Sequence, residues 1–110
     1  MREFFLGFVK IHILHHAEEK RIYGLWMAKE LARHGYEDLS PGTLYTTLHR
    51  LEEAGYLVSE RRLVDGRWRR YYSITLAGRE VLKEIRAKLI EPADEVVTTK
   101  QITWWIEEAK

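Results

Sequence analysis

Residues 40–55, SPGTLYTTLHRLEEAG, specify one helix from both ends and leave little freedom for the chain around it. Ser40 is a strong N-cap, and Pro41 fits the first helical position, where a missing N–H costs nothing. Gly55 follows the last turn as a left-handed stop. Between them Leu44, Leu48 and Leu51 fall at i, i+4 and i+7, which gathers them into one buried stripe. At about 100° per residue, Gly42, Thr46 and His49 lie opposite the leucines, with Tyr45 on one flank and Thr43 and Arg50 on the other. An ordinary surface helix shows Glu and Lys there. This one shows a glycine, hydroxyls, a tyrosine, an imidazole and a guanidinium, and keeps its acids, Glu52 and Glu53, at the far end. The first two turns, with the positive end of the helix dipole, are therefore free to meet anions, and DNA is the expected partner.

The elements around this stretch follow from periodicity and punctuation. Residues 2–16 are apolar on most sides, as expected for a helix that packs in the core and across a dimer contact. Glu18 to Arg21 reads as a polar linker. A second helix is expected from about Tyr23 to Arg33, with Leu25, Ala28, Leu31 and Ala32 as its apolar positions. With the short turn of residues 34–39 it forms a helix-turn-helix, in which the Ser40 helix is the reader. The period then changes to that of a β-hairpin: strands over residues 56–63 and 67–74 flank Val64-Asp65-Gly66, which carries the Asp-Gly turn signal. Thr75 caps a further helix with Val81, Leu82, Ile85 and Leu89 on its apolar side, and Pro92 ends or bends it. The shape of the segment after Pro92 does not follow from the sequence.

At 110 residues the chain is expected to form one compact unit, mainly α with a β-hairpin: a winged helix-turn-helix over residues 1–75 and a C-terminal dimerisation segment over 76–110. No apolar run approaches the roughly 20 residues of a membrane span, so no membrane partner is expected. The lack of cysteine excludes disulfides, thiolate metal sites and thiol catalysis, and agrees with a cytoplasmic protein. The net charge is only +1, but it is unevenly placed. Between positions 61 and 70, Arg61, Arg62, Arg67, Arg69 and Arg70 stand against Asp65 alone. A concentrated basic segment in a near-neutral chain points to an anionic partner met at one place. A solvated arginine-rich hairpin is the bland alternative.

Other residue groups tempt a different reading. His12, His15 and His16 have the spacing at which imidazoles share a metal. The favoured expectation is one half-buried histidine and two solvated ones, kept protonated near a helix C-terminus, so no metal site is assigned. No paired carboxylates, activated nucleophile or glycine-rich phosphate loop supports catalysis, and neither an enzyme nor a cofactor is expected. Phe4, Phe8, Trp104 and Trp105, with Phe5 and Trp26, could wall a site for a flat ligand, although such rings equally suit a subunit contact, which is the preferred reading.

Tyr23-Gly24, LSPGTLY over residues 39–45, LHRLEEAGYL over 48–57, Gly66-Arg67, and RYYSIT over 70–75 with Gly78-Arg79 together resemble the PadR family of transcriptional regulators. The resemblance covers roughly residues 4–90. It implies a homodimeric winged-helix repressor, often released from its operator by a small aromatic ligand. It also implies DNA contact by Tyr23, Ser40, Thr43 and Tyr45 and by Arg67 beside Gly66. Physical reasoning places the hydroxyls and the N–H groups at the helix start on phosphates, leaves base reading to Thr46, His49 or Arg50, and sends Arg67 toward a narrowed minor groove. The candidate DNA-binding set is thus Tyr23, Ser40, Pro41, Gly42, Thr43, Tyr45, Thr46, His49, Arg50, Gly66, Arg67 and Arg69. One reader helix per subunit implies a palindromic operator with half-sites about one helical turn apart, or a multiple of it. The alternative is a winged-helix protein-interaction module without specific DNA binding. Two features depart from the family pattern: Trp68 stands where a proline or small polar residue is common, and Pro92 with Val-Val-Thr-Thr interrupts the usual long C-terminal helix.

Overall fold

The computed structural model describes residues 2–90, in the order α1 (Arg2–Glu19), β1 (Ile22–Tyr23), α2 (Gly24–Arg33), α3 (Pro41–Glu53), β2 (Leu57–Val64), β3 (Arg67–Ile74) and α4 (Leu76–Ile90). α3 starts as its sequence directs. Ser40 is extended, its hydroxyl oxygen accepts the Thr43 N–H at 3.1 Å, and Pro41 occupies the first turn. Leu44, Leu48 and Leu51 are buried. They meet Val9, Ile13, Leu14 and Ala17 of α1, Met27 and Leu31 of α2, Ile22, Leu57 and Tyr72 of the strands, and Leu82 of α4 in one core. Each large side chain buried there contributes about 1.5–3 kcal/mol.

The wing is an antiparallel hairpin in which Leu57 pairs with Ile74 at the base and Val64 with Arg67 at the tip. Asp65 and Gly66 make the connection with φ of 51° and 78°. Two successive positive values are what a type I′ turn needs to match the twist of its strands, and the second falls on a glycine, which adopts it without steric cost. At the base, Thr75 links three segments. Its Oγ1 donates to the Gly55 carbonyl at 2.6 Å and accepts the Gly78 N–H at 3.0 Å, which caps α4 and ties it to the end of the α3 region.

Three local expectations are corrected. The second helix starts at Gly24 with Tyr23 as its N-cap, as expected to within a residue, but Glu18 to Arg21 is not wholly a linker and a short strand precedes the helix. α1 runs on to Glu19, and Ile22–Tyr23 pairs with Tyr72 and Tyr71, making a three-stranded sheet of order β1-β3-β2. Two residues are too few to show a strand period, so only pairing with β3 reveals it. In α2, Leu25 and Ala32 are exposed, whereas Met27 and Leu31 are buried and Ala28 is half-buried. The α2 stripe is therefore rotated from the one expected.

The third correction concerns histidines. His12, His15 and His16 are all buried rather than mostly solvated. His12 packs edge-on to Tyr36 and stacks near His34, and His16 packs edge-on to Trp26. Desolvation, reinforced by neighbouring imidazoles, lowers the pKa of His12 to about 3 and of His16 to about 4, so both are neutral at pH 7. Arg86 of α4 reaches His15 Nδ1 at 2.7 Å and Glu18 Oε1 at 3.0 Å. Because a guanidinium only donates, that ring nitrogen must accept. Expectations for Pro92, for the segment after it, and for Trp104 and Trp105 lie outside the described residues.

Candidate functional site

The front of α3 is open. Ser40, Pro41, Gly42, Tyr45, Thr46, His49 and Arg50 are exposed, and Thr43 is half-buried. Part of this polar face is already engaged within the helix. The Ser40 hydroxyl donates to Thr43 Oγ1 at 2.9 Å while capping the Thr43 N–H, and His49 Nε2 lies 3.4 Å from Glu53 Oε1. Thr46 and Arg50 border a shallow cavity of about 360 Å³ shared with Gly42 and Ser40.

Tyr45 is positioned by the preceding helix. A Cβ added at Gly24 would stand 2.5 Å from the Tyr45 ring, so the ring rests where only a glycine leaves room. From there Tyr45 lines a second open cavity of about 360 Å³ between α3 and the wing. Its other walls are Tyr23, Gly24, Leu25, Arg67, Trp68, Arg69, Arg70 and Tyr72. The candidates Tyr23, Tyr45, Arg67 and Arg69 are thus brought to one cleft, and Gly66 shapes the wing tip beside it.

Strand alternation divides the wing arginines. Tyr72 is buried, so Arg70 and Trp68 share its face, as do their cross-strand partners Arg61 and Leu63. Arg69, Arg67 and Arg62 belong to the opposite face. There the Arg69 guanidinium lies 4.5 Å from the centre of the Tyr23 ring, which packs edge-on to Tyr71. Arg62 is held by Glu60 at 2.9 Å.

A relay that sequence reading missed fixes the wing to the helix. Glu52 Oε2 accepts the Ser59 N–H at 3.0 Å and the Ser59 hydroxyl at 2.7 Å, and Arg70 donates to that hydroxyl oxygen at 2.9 Å. In the sequence Glu52 is only an acid kept away from the front. An acidic residue at the end of a helix, seven residues before a serine in a strand, carries no signal that the two will meet.

The model for the transcriptional regulator PadR-like family matches residues 13–84. The chain belongs to this family. It is accordingly a transcriptional regulator with a winged helix, and not an enzyme. Among its relatives is "Transcriptional regulator Rv3488" of Mycobacterium tuberculosis, 58% identical over 97 residues, covering 88% of this chain and 90% of that protein. A PadR family transcriptional regulator from Eggerthella lenta superposes with a TM-score of 0.66 at 34% identity, covering 74% of this chain and 71% of the other. Bacillus subtilis PadR, solved in complex with operator DNA, has a TM-score of 0.65 at 14% identity, covering 87% and 56% respectively, and shares the fold.

Three further aromatics fall within the described residues. Phe4 is 67% and Phe8 42% exposed, one turn apart on α1. Trp26 packs edge-on to His16, with the Lys20 ammonium 4.4 Å from the centre of its ring. Among the described residues no helix is long and apolar enough to cross a membrane.

Proposed function

We propose that this regulator binds operator DNA as a homodimer and represses transcription in the cytoplasm until a small aromatic ligand releases it. The observation that carries the reading is the cleft between α3 and the wing, in which Tyr45 of the reader helix and Arg67, Arg69 and Arg70 of the wing border one open space. One strand of a duplex would run along it. Ser40, Thr43, Tyr45 and the Gly42 N–H would hold phosphates, with Tyr23 keeping Arg69 in place. Thr46, His49 and Arg50 would read base edges in the major groove, while Arg67, presented by Gly66, would enter the minor groove.

Residues 1–75 would form the DNA-binding unit and residues 76–110 the dimerisation segment. The exposed Phe4 and Phe8 support a subunit contact that includes α1, and the same rings, with Trp104 and Trp105, are the candidate ligand contacts. A two-fold dimer implies a palindromic operator. The test is a mobility shift with duplex from upstream of the protein's own gene, titrated with salt and competitor DNA. Arg67→Ala should weaken binding and reduce the slope of log affinity against log salt by about 1. Absence of any salt-sensitive complex would replace the regulator-on-DNA reading with that of a protein-interaction module.

A further inference from the structure

Leu63 and Trp68 are large apolar side chains directly opposite each other across the hairpin, one residue inside the tip pair Val64 and Arg67. They are 59% and 61% exposed. Single exposed apolar residues are common, but a cross-strand pair at a protruding tip, in a segment otherwise dominated by arginine, forms a patch. Its direction is set by the sheet: Trp68 shares a face with buried Tyr72 and lines the same cleft as Tyr45. Trp68 thus borders the open space beside α3, and Leu63 stands next to it on the same face of the hairpin. Arg61 stacks on the indole with its guanidinium carbon 5.0 Å from the ring centre, so a cation travels with the apolar surface.

From this placement we infer that Leu63 and Trp68 form an apolar wedge that packs on the deoxyribose walls of the DNA minor groove. The inference rests on the DNA-binding reading and extends it to residues that carry no phosphate contact. A minor groove offers the two chemistries that the tip offers in reverse: apolar sugar walls for the indole and leucine, and anionic rims for Arg61 and Arg67. The groove is about 6 Å wide, which admits side chains from a hairpin tip but excludes a helix. Apolar side chains are used by other proteins to wedge into this groove. The wedge separates the work of the wing: arginines supply the salt-dependent attraction, and Leu63 and Trp68 supply contact that salt does not screen.

The experiment measures affinity for the upstream duplex by fluorescence anisotropy at several salt concentrations, for the parent, Trp68→Ala, Trp68→Phe, Leu63→Ala and Arg67→Ala. Both alanine variants of the pair should lose about 3- to 10-fold in affinity with the salt slope unchanged, and Trp68→Phe should recover most of the loss. Bound duplex should also protect from acrylamide the part of the emission that Trp68→Phe removes. Both positions are exposed, so melting temperatures should match the parent's. Parental affinity in Trp68→Ala, beside a weakened Arg67→Ala, would overturn the wedge and leave the DNA-binding reading intact. A slope reduced in Trp68→Ala as much as in Arg67→Ala would also overturn it, since the indole would then act only by holding Arg61. A parent that forms no salt-sensitive complex would overturn both.

Discussion

The histidines of α1 and the front of α3 use similar side chains to opposite ends. His12 and His16 are buried between α1, α2 and their aromatic neighbours and stay neutral, whereas His49 stands in solvent beside Glu53. An imidazole costs little in the core only if it gives up its proton, and at the surface it keeps its access to an anion. Residue type alone therefore separates neither scaffold from site. The direction of the side chain relative to the core does. Changes on the α1 side should move stability and leave DNA affinity per folded molecule alone, and changes on the α3 side should do the reverse.

Acidification gives the largest contrast. Unfolded, His12 and His16 take up protons near pH 6.5, whereas in the fold they do so only near 3 and 4. The unfolded chain binds more protons throughout that interval, so stability is full above pH 6.5 and falls as the pH drops toward 4 and 3. Urea melts at pH 7 and pH 5 should differ by about 1–2 kcal/mol for each of the two imidazoles. His16→Gln should flatten the profile; a profile identical to the parent's would show that the buried imidazole does not set it.

On the other side, Tyr45→Ala should reduce affinity for the upstream duplex about 10-fold while the melting temperature stays within a degree or two of the parent's. Equal affinity would remove Tyr45 from the interface. Gly24→Ala sharpens the point at smaller amplitude. The new methyl would displace the Tyr45 ring, which can swing because the conflict is with the end of a side chain. Affinity should fall about 3-fold, and in the Tyr45→Ala background the same substitution should have no further effect on binding. Additive losses would show that Gly24 acts by another route.

Much of this is legible in the sequence alone. The cap at Ser40, the leucine stripe of α3, the Asp-Gly turn and the Thr75 cap are local, and each was read correctly because its signal lies within a few residues. β1 was not legible, since two residues have no period of their own and exist as a strand only through Tyr71 and Tyr72. The histidines misled for a related reason. Their spacing was clear, but their solvation depended on which other elements came to cover them, namely His34 and Tyr36 beyond α2 and Arg86 from α4.

The sequence by itself determined where each main helix and the hairpin would form, and that hydroxyls and arginines would be concentrated on α3 and the wing. Caps, turns and amphipathic stripes are short-range and act wherever the chain goes. Only the tertiary structure decided that Tyr45 would rest on Gly24, that Glu52 would hold Ser59 and through it Arg70, and that Trp68 would turn toward the α3 side. Those outcomes depend on the angle and register at which separately specified elements pack, and these are set by the shared core.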